Sequence, residues 1–170
     1  MRHRTFCSLL ALAVLALICG NGYAQDVEQT RNSLRGLSGV YVVPENPLEE
    51  DAIRGGLSQD TIRKEAELKL RLAGIRVLSR EEWEKEPGRP YLQVWPEVLK
   101  GGVLGGYIYH ISLEFKQYVS LVRSSSIQVF GTTWSAEHMG YTPELKDIQD
   151  KLKGRIDQFI NAYLSVNAKK

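Results

Sequence analysis

The sequence predicts an α+β fold, a two-layer sandwich in which two helices cover one face of a mixed, mostly antiparallel sheet of about five strands. Three patterns carry that expectation. Tyr107, Tyr109, Ile111, Leu113, Phe115, Val119 and Leu121 share one parity, while His110, Ser112, Glu114, Lys116 and Ser120 share the other; this is the period-two signature of a long strand with one wet face. Ile62, Ala66, Leu70 and Ala73 recur at helical spacing, with Arg63, Lys64, Glu67 and Lys69 turned to water. A second stripe, built from Leu145, Ile148, Leu152, Ile156, Phe159, Ile160, Tyr163 and Leu164, marks a longer helix near the end of the chain.

The elements follow in order. Residues 1–24 read as a signal peptide: Arg2 and Arg4 form a positive start, an apolar run follows, and Gly22, Tyr23 and Ala24 make a small-x-small cleavage site. Residues 25–38 are polar and end in glycine, which suits a tether or short helix leading into a single domain over residues 39–167, with residues 168–170 as a tail. A short strand over residues 40–43 closes at Pro44, and residues 45–56 read as a surface loop. Ser58 is placed to cap the first long helix and Gly74 to stop it. Residues 75–78 are expected as a parallel strand reached by a right-handed crossover. Ser79 and Glu82 match a capping box ahead of Trp83.

Residues 91–99 alternate again, and Pro96 points to an edge or a bulge. After the long strand, Ser124, Ser125 and Ser126 are expected to turn the chain into another strand that ends near Ala136. Thr142 and Pro143 then open the last helix.

Two of the 22 basic residues and none of the 20 acidic ones lie in the leader, so the remainder carries 20 of each sign. That balance, with no basic stripe, argues against a nucleic-acid partner. Both cysteines, Cys7 and Cys19, also fall in the leader, which leaves the domain without a disulfide or a thiolate. Bulky Ile18 before Cys19 speaks against lipidation, so the expected product is exported, periplasmic or secreted, with no transmembrane span.

The chemistry-bearing motifs are sparse. Gly101, Gly102, Gly105 and Gly106 feed a strand rather than a helix, so they fit a tight reversal and not a phosphate cradle. His110, Ser112 and Glu114 share one strand face, but alternate residues on a strand lie about 6.6 Å apart and parallel, which is poor geometry for a triad. His110 and His138 lack metal-ligand spacing, and the acidic run Glu49, Glu50 and Asp51 lacks that of a calcium loop. No cofactor or metal is implied. Trp95, Tyr118 and Trp134 are placed on or near the side opposite the helices, where a cluster of them would make a contact surface.

The segments GLSQDTIRKEAELKLRLAGIRVLS, LEFKQYVSLVR, TTW and FINAYLSVN resemble those of small exported bacterial proteins of unassigned function. That resemblance implies an exported, non-catalytic α+β domain and brings no catalytic residues with it. In element order the chain is also similar to envelope accessory domains such as the lipopolysaccharide-assembly lipoprotein. The expected function is a non-enzymatic interaction or accessory module of the cell envelope. Its expected partner is an envelope protein, met through Trp95, Tyr118, Trp134 and the hairpin glycines Gly101, Gly102, Gly105 and Gly106. A small-ligand or lipid carrier, and a hydrolase using His110, stand as alternatives.

Overall fold

The computed structural model of the chain describes residues 25–47 and 49–167; the expected leader and the tail over residues 168–170 lie outside them. The fold is α+β with one mixed sheet. Helix α1 (Glu28–Arg31) and a tight turn (Asn32–Leu34) lead to strand β1 (Tyr41–Pro44). Helices α2 (Glu50–Ala52), α3 (Gln59–Leu72) and α4 (Arg80–Lys85) follow. Strands β2 (Tyr91–Lys100), β3 (Tyr107–Leu121) and β4 (Ser124–Thr142) come next, and helix α5 (Leu145–Val166) ends the described chain.

The sheet has four strands in the order β1-β2-β3-β4, with β1 parallel to β2 and the remaining pairs antiparallel. The fifth strand expected over residues 75–78 is reduced to a single parallel bridge, Val40 to Val77. Its length is limited from both sides. Gly74 adopts φ 74° to stop α3, and Ser79 already accepts a hydrogen bond from Glu82 N to start α4. The chain between them makes only two ladder bonds, Val40 N to Arg76 O and Leu78 N to Val40 O.

Helix α3 begins where the sequence placed it, with Ser58 Oγ accepting from Thr61 N at 3.3 Å. Its stripe of Ile62, Ala66 and Leu70 joins Ile148, Leu152, Ile156 and Phe159 of α5 in one core. Leu92, Val94 and Val98 of β2 and Tyr109, Ile111, Leu113 and Phe115 of β3 complete that core from the same face of the sheet. Both long helices therefore cover the parity that the sequence marked as oily. The segment expected as a surface loop over residues 45–56 is partly folded instead: Ala52 and Leu57 are buried in the same core, which gives α2 and the π-type turn after it (Ile53–Leu57) their anchors.

Pro96 sits within β2 without breaking it. Val94 O accepts from Glu45 N, so the polar backbone groups of Val94, and of Pro96 two residues on, point toward β1, which ends at the Pro44 to Val94 pair. The missing N–H thus falls where no partner strand remains.

Two departures in β4 matter for function. The reversal expected at Ser124 to Ser126 occurs one step earlier, over Val122 and Arg123, and the serines already belong to β4. Ser120 pairs with Gln128 while Leu121 pairs with Ser124, so β4 accommodates the intervening residues as a bulge. A second shift separates the Phe115 to Trp134 pair from the Lys116 to Thr132 pair and leaves Thr133 as the extra residue. It exchanges the faces of the strand: Trp134 lands beside Phe115 on the helix side and is 0 % exposed. The expectation that Trp134 belongs to the outer surface is therefore wrong, and the bulge is the reason.

Buried Trp134 organises the start of the domain. Its ring lies 5.2 Å from that of Phe159, and its Nε1 donates to Asp26 Oδ1 at 2.9 Å. Arg31 and Gln158 also donate to the Asp26 carboxylate. Burial pushes the Asp26 carboxyl up, but these three hydrogen bonds and the Arg31 charge outweigh it and hold the group below the usual carboxylate range. A folded-state value below the unfolded one stabilises the fold above the unfolded pKa, about 3.9, and that contribution fades as pH falls through the lowered folded value. Asp26→Ala should cost about 1–3 kcal/mol at neutral pH, because it strands a buried indole N–H. Urea titrations of both proteins should show the gap narrowing below about pH 4.

Candidate functional site

The face of the sheet away from α3 and α5 carries the other parity of each strand, and the register sets its side chains in rows. Gln93, Glu114 and Ser135 form one row; Trp95, Ser112 and Glu137 the next; Glu97, His110 and Met139 the third; Leu99, Ile108 and Tyr141 the last. Trp95, Glu97, His110, Ser112, Glu114, Glu137, His138 and Met139 line a concave region of about 650 Å³ on this face.

His110 is the centre of it. Its Nδ1 lies in hydrogen-bond contact with Glu97 Oε2 at 3.0 Å, and Nε2 lies 3.6 Å from Glu137 Oε2. The two carboxylates arrive from β2 and β4, so the tempting set on one strand is not the set that the fold assembles. Ser112 is buried and its Oγ contacts Glu114 at 3.5 Å rather than the histidine. Glu114 in turn receives Lys116 Nζ at 2.8 Å and Thr132 Oγ1 at 3.2 Å. Among the described residues no nucleophile is in contact with an imidazole nitrogen of His110, and both ring nitrogens are directed at acids. His138 takes the opposite parity, paired with Ile111 and with its ring 5.8 Å from that of Tyr109 on the helix side, where burial, with the Arg155 and Lys151 charges, holds its imidazole below its usual range. Among the described residues, no group of three or more His, Cys, Asp or Glu side chains is placed to hold a metal ion.

Apolar side chains surround the polar centre. Trp95 is 41 % exposed and Met139 72 %, and Leu99, Ile108 and Tyr141 are exposed as well. Toward the other end of the sheet the outer face is not bare. Trp83 of α4 stacks on Tyr41 at 5.1 Å and meets Tyr91 edge-on at 6.2 Å; Tyr91 stacks on Phe130, which meets Tyr118 edge-on at 5.1 Å. This aromatic row anchors α4 on the outer face. Tyr118, half-exposed, belongs to it, while Trp95 belongs to the groove. The two expected contact residues therefore lie on the expected face but in separate patches.

The glycines form a reversal. Gly101 N donates to Gly106 O at 2.9 Å across a single turn (Gly102–Leu104), and Gly102, Gly105 and Gly106 all have positive φ. A Cβ on Gly101 would lie 2.2 Å from Gly105 O, so close approach of backbone explains the glycine there. The acidic run is likewise structural: Asp51 pairs with Lys100 Nζ at 2.5 Å and with Arg54, and Glu49 accepts from Lys100 N at 3.1 Å. These bonds tie α2 to the hairpin end of β2.

Sequence reasoning missed Glu97, Glu137 and Met139. A signal for Glu97 was present: a tight reversal over Gly101 to Gly106 that pairs Lys100 with Tyr107 also sets Glu97 opposite His110. No family model matches the chain, and no curated protein matches it. Among solved structures it is similar to a dodecamer of a PelC variant from Paraburkholderia phytofirmans, 15% identical over 76% of this chain and 90% of that chain, with a TM-score of 0.40. No helix among the described residues is long and apolar enough to cross a membrane.

Proposed function

We propose that this chain is an exported, non-enzymatic interaction or accessory module of the bacterial cell envelope, periplasmic or secreted, that meets a protein partner through the outer face of its sheet. The architecture is read as a two-layer sandwich, with α3 and α5 on one side and the groove face left for contact. The observation that carries the proposal is the grouping of Trp95, Leu99, Ile108, Met139 and Tyr141, all exposed, on adjacent register positions of that face. Exposed apolar groups that adjoin one another in this way mark contact surfaces. The pairing of His110 with two carboxylates, and of Ser112 with a third, supports a binding role over a hydrolytic one.

The carrier alternative draws no support from the space between the helices. The cavity bounded by Leu57, Ile62 and Leu152 holds about 120 Å³, against the several hundred Å³ of ordinary ligand sites.

A photoreactive residue placed at Met139 or at Trp95, in cells that export the protein, should give a discrete crosslinked adduct. The same residue at Leu72, exposed on α3, should not. No adduct at either groove position, or identical adducts at all three, would dismiss the outer face as the contact surface.

A further inference from the structure

The chemistry of the groove constrains what fits it. Glu97, Glu114 and Glu137 bring three carboxylates to the groove, and among the described residues the only Lys or Arg ion-paired with any of them is Lys116, bound to Glu114. His110 lies between the other two acids. The groove therefore keeps a negative excess, and that excess persists whether or not the imidazole is protonated. Beside it, Ser135 is buried on the same face, opposite Glu114 and two residues before Glu137, and its Oγ has no hydrogen-bond partner among the described residues. Buried hydroxyls are ordinarily satisfied, and this one, able to donate or to accept, is an unmet polar atom beside the acids. Ser112, buried on the groove floor, donates to Glu114 Oε1 at 3.5 Å, the long limit of a hydrogen bond.

Around the acids stand Trp95, Leu99, Ile108, Met139 and Tyr141. A multi-donor cation at the centre would meet the carboxylates, with the exposed Trp95 ring beside them for cation-π contact. Apolar residues flanking that cation would meet the aliphatic and aromatic rim. A free amine would leave the rim uncovered, and an acidic segment would face repulsion.

We propose that the groove takes a lysine or arginine side chain of an extended partner segment whose neighbouring residues are apolar. The inference rests on the outer-face contact proposed above and adds the partner's chemistry to it.

Fluorescence anisotropy of the purified protein with four probes tests it: labelled peptides that alternate Leu with Lys, Leu with Glu and Ser with Lys, and lysine amide as a competitor. The Leu/Lys peptide should bind, more weakly as salt is raised. Glu97→Gln with Glu137→Gln should weaken it about tenfold, the sum expected of two partly exposed ion pairs. Glu137→Lys alone should weaken it further, and thermal melting of each variant confirms that the fold is intact.

Equal binding of the Leu/Glu peptide, or unchanged affinity in the double variant, overturns the charge assignment. Equal binding of the Ser/Lys peptide, or full competition by lysine amide at peptide concentrations, overturns the apolar flanks and leaves a small-amine site. The two proposals fail separately. Crosslinks from Met139 to a neutral or acidic partner segment would sink the inference and keep the contact surface, whereas absence of adducts removes both.

Discussion

Replacing Trp134 by alanine should destabilise the domain by about 3–5 kcal/mol, the usual cost of deleting a buried large aromatic. For a domain of this size that lowers the melting temperature by on the order of 10 °C. Two losses add. The indole is 0 % exposed and packs against Phe159, so its removal leaves a cavity beneath β4. It is also a donor to the partly buried Asp26 carboxylate, which then keeps Arg31 and Gln158. Trp134→Phe separates them. It retains most of the apolar volume and drops the N–H, so a loss of roughly 2 kcal/mol is expected. Chemical denaturation of the three proteins is the measurement. A Trp134→Ala protein as stable as the parent would mean that the bulge at Thr133 does not turn this residue inward, and the outer face would have to be redrawn.

The second large effect concerns the hairpin glycines. At Gly106, φ is 61° and an added Cβ would lie 2.6 Å from Thr142 O and 3.0 Å from Pro143 Cα. Backbone atoms at the junction of β4 and α5 have little room to retreat, so Gly106→Ala should cost about 2–3 kcal/mol, combining left-handed strain with a collision. Gly102 has a similar φ of 57° but no atom within 4 Å of its added Cβ. Gly102→Ala should therefore cost only the conformational part, about 1 kcal/mol. The ratio of the two is the diagnostic quantity, since a glycine cluster kept for ligand contact would lose binding at both positions and stability at neither. Equal destabilisation would show that the approach of the hairpin to Thr142 is looser than described.

The difference between these two glycines illustrates how the site depends on pairing across strands. Gly102 answers to its own dihedral angles, whereas Gly106 answers to Thr142 and Pro143, distant in sequence. The same holds for the groove. His110 was visible as a polar residue on a wet strand face, but its partners Glu97 and Glu137 reach it only through the registers of two hairpins. Glu114 and Ser112, which looked like a catalytic set with His110, are occupied with Lys116, Thr132 and one another.

What the amino-acid order determined by itself is what depends on short-range periodicity and capping: the long strand β3, the stripes of α3 and α5, the cap at Ser58, the box at Ser79 and the reversal at the paired glycines. These follow from side-chain alternation, helical spacing and backbone sterics within a few residues of one another. What only the tertiary structure decided is where that local logic is interrupted or joined across strands. The bulge at Thr133 turned Trp134 from the surface into the core, because one extra residue exchanges the two faces of a strand. The segment over residues 75–78 kept one bridge instead of becoming a fifth strand, because the ends of α3 and α4 crowd it. His110 acquired an acid on each side because β2 and β4 pair with β3 in registers that no local pattern records.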